Sequence, residues 1–167
     1  VGLDAQEQAR GTVSQLIEAG YRDIGILLSP IQYTLEEQTF NGYVEADRDH
    51  KMTVRQHLCA VSSYDREGLL KEAIRLTASG KPPQAILVIC SQAMDAVLKA
   101  CEILNIPKEK RPLIVANMPT SWTLTTRDGV IYVPHPYAKL TEIAAAMLFD
   151  YIEQGTDFPA DTVFLKL

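Results

Sequence analysis

Short apolar runs alternate with helix-length amphipathic stretches along nearly the whole chain. That alternation constrains the fold more than any other feature. Ile24 to Leu28 and Ala85 to Cys90 are unbroken apolar runs, as expected of strands buried on both faces of a parallel sheet. Helix-length segments separate such runs, and strand-helix repetition closes into an open parallel sheet with helices on both faces. With 167 residues there is room for one domain with its own core.

Periodicity and boundary residues place the elements. Helix is expected over 5–19, with Gly20 as its stop, and strand over 23–28. A helix over 35–47 starts from Thr34 as N-cap with Glu37 three residues on, a capping-box spacing. A strand over 54–59 and a loop through Ser62, Ser63 and Tyr64 follow. Asp65 caps a helix over 66–78. After the strand ending at Cys90, Ser91 is read as the cap of a helix reaching Leu104. Strands are expected over 113–116, 130–133 and 163–165, and a long helix over 136–154.

Composition excludes several function classes. The net charge of -5 and scattered basic residues do not form the cationic footprint of a nucleic-acid surface. No apolar run approaches the roughly 18 residues that would span a membrane. Cys59, Cys90 and Cys101 are odd in number and lack C-x-x-C spacing. They read as buried free thiols of a reducing, cytoplasmic compartment. His50, His57 and His135 have no ligand-like spacing, so no metal or other cofactor is expected. No nucleophile elbow, P-loop or dinucleotide fingerprint occurs, and Asp47 and Asp49 read as solvated, so the chain is not read as an enzyme.

In parallel sheets ligands bind beyond the carboxyl ends of the strands. Those ends carry Ser29, the Ser62–Tyr64 loop, Ser91, Gln92 and Asn117. Trp122, the single tryptophan, sits in a polar loop beside them and suits either a sugar platform or a loop anchor. Tyr64 has the same two readings. Asp4 is read as a helix cap and also as a hinge contact to a ligand. Met94, Val97, Leu98 and Cys101 share a helical face and read as core.

The opening V-x-x-D, a dozen helical residues, then Leu16-Ile17-x-x-Gly20-Tyr21-x-x-Ile24 resembles the lactose-repressor/galactose-repressor family of transcription regulators. Gly42-Tyr43 matches that family's R-x-x-G-[FY], with Thr39 at the Arg position. Ser91-Gln92-Ala93-Met94 stands where N-D-x-M is common, and Ala116-Asn117-Met118 where G-[FY]-D is usual. Val133-Pro134-His135-Pro136 follows the closing pattern. The segments 62–67 and 83–85 are similar to the fructose-repressor branch, whose members sense phosphorylated sugars.

The resemblance implies one lobe of a type I periplasmic-binding-protein-like clamshell with flavodoxin-like topology, spanning 1–167. It implies that a DNA-binding headpiece and most of the first lobe lie outside this sequence, and that helix 136–154 returns to the first lobe. The partners it implies are a small polar effector (a sugar or sugar phosphate), a second copy in a homodimer, and operator DNA through the headpiece. Thr39 joins the candidate ligand residues on this basis. A transport-protein lobe, a small α/β enzyme and a degenerate dimerisation module are the rival readings. The apolar stripe of helix 136–154, including Leu140, Ile143, Met147, Leu148 and Tyr151, is expected to be covered by its own sheet or by a second copy.

Overall fold

The computed structural model describes residues 2–63, 65–78, 80–117, 128–133, 137–154 and 164–165. Chain order is β1 (Gly2–Leu3), α1 (Ala5–Glu18), β2 (Ile24–Leu28), α2 (Thr34–Asp49), β3 (Cys59–Val61), α3 (Arg66–Thr77), β4 (Ala85–Val88), α4 (Ser91–Ile103), β5 (Leu113–Asn117), β6 (Val130–Val133), α5 (Tyr137–Gln154) and β7 (Phe164–Leu165). Five strands form one parallel sheet in the order β3-β2-β4-β5-β6, and β1 pairs with β7 in a separate parallel pair.

β2 and β4 are buried along their whole length, which explains their uninterrupted apolar sequence. One face of the sheet is covered by α1 and α2, through Val13, Leu16, Tyr43 and Ala46 against Ile26 and Leu87. The other is covered by α3 and α4, through Leu69, Leu76, Met94 and Val97 against Leu27 and Ile86. Both faces are therefore core, and ligand access is restricted to the strand ends.

Most expected elements are present within a residue or two, and five readings are corrected. The strand expected over 54–59 is instead a short 3-10 turn, Gln56–Leu58, leading into β3 at Cys59. Thr34 is the first residue inside α2; the cap is Tyr33, which makes no side-chain capping bond. Ser91 likewise lies inside α4, whose cap is Cys90. Asp47 is not solvated but 4% exposed. Two of the three thiols, Cys59 and Cys90, are only half-buried, while Cys101 is buried. Gly20, at φ 98°, does stop α1, in the left-handed region that glycine enters without steric cost. Met94, Val97 and Cys101 are core, with Leu98 packed at its margin.

The amino-terminal edge of the sheet is tied by charge. Asp23, 7% exposed, pairs with Arg55 and, at 2.9 Å, with Lys81. The Gln84 Oε1 atom accepts from the Arg22 and Asp23 amides at 2.7 and 3.1 Å.

α5 makes no more than marginal contact with any other described element. Leu148, Phe149 and Ile152 are 50%, 64% and 64% exposed. The expectation that this helix folds back on its own sheet is thus overturned: β6 ends the sheet, and helices from both faces already cover it.

Candidate functional site

Register brings the candidate residues to one edge. Leu28 pairs with Val61, so Ser29 and Ser62 each stand one residue beyond that pair. Leu27 pairs with Val88, so Ser29 and Cys90 each stand two residues beyond. Asn117 is the last residue of β5 and pairs with Val133. The parallel register alone therefore gathers Ser29, Ser62, Cys90 and Asn117 at the carboxyl edge.

Two adjoining cavities open there. One, of about 240 Å³, is lined by Ser29, Arg66, Leu69, Cys90 and Gln92. The other, of about 340 Å³, shares Arg66 and Gln92 and adds Leu70, Asp95, Ala96 and Lys99. Arg66 and Gln92 stand at the starts of α3 and α4, and the α3 start is already capped by the Asp65 carboxylate, which accepts from the Gly68 amide at 2.7 Å.

Each candidate has a definite setting. Ser29 is buried. Ser91 is exposed, and its hydroxyl donates to Gln92 Oε1 at 3.2 Å. Asn117 is buried at the strand end. Thr39 is wholly buried, and its hydroxyl has no hydrogen-bond partner. Asp4 caps α1 by accepting from the Glu7 amide at 2.9 Å. It lines a different depression, with Gln6, Glu7 and Gln38, so the structure does not bring it into the cavity of Ser29 and Gln92. Tyr64 and Trp122, like Met118 and His135, lie outside the described residues.

Two residues escaped the sequence reading. Arg66 lines both cavities; its place directly after the capping Asp65, at a strand-end loop, was the available signal. Glu36 is a carboxylate only 5% exposed in the first turn of α2. Burial pushes the Cys90 thiol up, the amides of Ala93 and Gln92 pull it down, and Glu36 pushes it up further. Glu36 is therefore within electrostatic reach of the cavity wall.

A further cavity, of about 260 Å³, lies at the opposite edge, lined by Tyr21, Gln84, Lys108 and Arg111 among others. Several of its polar groups are already engaged. Gln84 holds two amides, Arg111 donates to the Ile106 carbonyl at 3.0 Å, and Lys108 meets Asp128 at 3.5 Å. Among the described residues no group of three or more His, Cys, Asp or Glu is placed to hold a metal. No described helix is long and apolar enough to cross a membrane.

Known proteins share this fold. The model of the periplasmic binding protein-like domain matches residues 13–167. The HTH-type transcriptional repressor PurR of Proteus mirabilis is 27% identical over 141 residues, covering 82% of this chain and 40% of the relative. The chain spans 40% to 45% of the length of the curated relatives it matches. Among solved structures, a sugar-binding transcriptional regulator of the LacI family from Escherichia coli, complexed with phosphate, superposes with a TM-score of 0.78. It is 16% identical, with 98% of this chain and 59% of that chain covered. The transcriptional regulator CelR in complex with cellobiose gives a TM-score of 0.78 at 18% identity, with 94% and 48% covered. The chain belongs to the periplasmic binding protein-like domain family.

Proposed function

We propose that this chain is the second lobe of an effector-sensing domain, and that it binds a small polar ligand, a sugar or sugar phosphate, at the carboxyl edge of its sheet. The observation that carries this reading is the cavity in which Ser29, Arg66, Cys90 and Gln92 converge from three different strand-end segments. Its small polar side chains suit hydroxyl recognition, and the Arg66 guanidinium suits an anionic substituent. The relatives are repressors and one structural neighbour holds cellobiose, which supports a regulatory rather than an enzymatic role. Operator binding would reside in a headpiece outside this chain, and the regulator would act as a dimer. The apolar stripe of α5 would be covered by the first lobe or by a second copy.

Calorimetric titration of the two-lobe protein with cellobiose, glucose and glucose 6-phosphate tests the reading. Binding is expected for at least one, weakened about tenfold or more by Gln92→Ala. If a phosphorylated sugar binds, Arg66→Ala is expected to weaken it as well, since a charge-assisted contact is lost. Binding indifferent to both substitutions would overturn the assignment of this edge.

A further inference from the structure

The cavity of about 260 Å³ at the amino edge of the sheet has no part in the effector reading. Its walls are apolar, with Leu98 and Cys101 from the last turns of α4 and Ile114 from β5. Its rim is rich in donors. The Gln84 Oε1 atom is taken by the Arg22 and Asp23 amides, which fixes the side-chain amide and leaves its amino group as the polar atom to offer. Arg111, half-buried, gives its Nε to the Ile106 carbonyl at 3.0 Å. That bond orients the guanidinium, whose two terminal nitrogens make an end-on fork of the shape a carboxylate accepts. Lys108 adds a second positive charge. Asp128 meets it at 3.5 Å, but the Asp128 side chain is 94% exposed, and a pair so open to water holds its members weakly. In a chain of net charge -5, this rim is a local excess of positive charge over an apolar hollow.

We propose that this cavity is a second ligand site, separate from the carboxyl edge, and that it takes a small carboxylate with an apolar body, such as an aromatic or branched-chain acid. Its volume lies below the roughly 300–1,000 Å³ of sites for drug-sized ligands, so the ligand is small. The carboxylate pairs with the Arg111 fork and draws Lys108 from the rim, while the apolar body lies against Leu98 and Ile114. A bare inorganic anion would satisfy the donors but leave the apolar wall wet. A neutral sugar would leave both cations unused and set hydroxyls against that wall.

Calorimetry on the intact regulator tests this with benzoate, phenylacetate and 3-methylbutanoate, against benzamide as the neutral counterpart of benzoate and inorganic phosphate as the bare anion. Benzoate is expected to bind about tenfold or more tightly than benzamide. Arg111→Lys keeps the charge but loses the fork, and is expected to erase most of that preference. Lys108→Ala is expected to weaken all three carboxylates several-fold. The Lys108 side chain is 74% exposed, so this variant decides the matter if Arg111→Lys does not fold. No binding by any of the three carboxylates overturns the proposal, as does equal affinity for benzoate and benzamide. Carboxylate binding untouched by both substitutions puts the anion elsewhere and overturns it too. Phosphate bound as tightly as the carboxylates, and weakened by the same substitutions, overturns the assignment of an apolar body.

Discussion

The hydroxyl of Tyr43 donates to the main-chain carbonyl of Ile24 at 2.9 Å, in a buried position between α2 and β2. Burial pushes the phenol far above its usual range, with Cys59 and Asp47 adding to the effect, so it acts only as a neutral donor. The bond fixes how deeply α2 sits on the sheet, and therefore where its first turn, with Glu36, meets the strand ends. Tyr43→Phe keeps the packing but leaves a buried carbonyl short of a donor. A loss of about 1–2 kcal/mol is expected in chemical denaturation; an unchanged midpoint would show that the bond does not hold the helix.

Gly42 is required by a close approach of helices. A Cβ there would lie 2.1 Å from the Gln6 carbonyl oxygen and 3.0 Å from the Ala9 Cβ. Neither can move without shifting the backbone of α1. Gly42→Ala is expected to destabilise by about 3 kcal/mol, at the upper end of overpacking costs. Thermal unfolding with no loss of stability would mean that α1 can slide away freely.

Asp47 should make stability fall as pH rises. Burial pushes its carboxyl up, partly opposed by His50. The folded state therefore holds the proton more tightly than the unfolded chain, whose value is about 3.9. The stability favoured by protonation is complete below that value and is lost as pH rises through the folded one. Asp47→Asn is expected to raise the melting temperature at pH 7 and to leave it unchanged near pH 3. A drop at pH 7 would assign the carboxylate a stabilising contact.

Asp65 should act in the opposite sense. Its bonds from Ser63 and from the Gly68 amide, the latter at 2.7 Å, hold its carboxyl below the usual range. Its contribution is present above the unfolded value and is lost as pH falls through the lowered folded one. Asp65→Ala is expected to lower the melting temperature at pH 7 but not at pH 2. Because Asp65 sets the start of α3, the substitution should also misplace Arg66 and weaken ligand binding.

The elements that sequence made legible are those governed by local signals. Unbroken apolar runs marked β2 and β4, Asp65 marked the start of α3, and Gly20 marked the end of α1. Reading failed where tertiary context overrode local preference. Thr34 and Ser91 are good caps by type, but the chain enters both helices one residue earlier, and Tyr33 and Cys90 take the cap position. Val54 and its neighbours have strand propensity, yet the sheet pairs Cys59 with Ile26 and starts β3 only there. The carboxyl edge of the sheet followed from topology, so Ser29, Gln92 and Asn117 were assigned to it. Glu36 was not, because amphipathic spacing ordinarily places a first-turn glutamate in solvent, and its burial depends on how α2 docks. Asp47 was misread for the same reason.

The central claim is that ligand is held at the carboxyl edge of the sheet. Hydrogen–deuterium exchange of the two-lobe protein, with and without a sugar that binds it in calorimetry, tests this most directly. The account predicts new protection in the segments 29–36, 62–69 and 89–93, with the opposite edge around Asp23, Gln84 and Arg111 unchanged. Protection confined to that opposite edge, or none in these three segments, would contradict it.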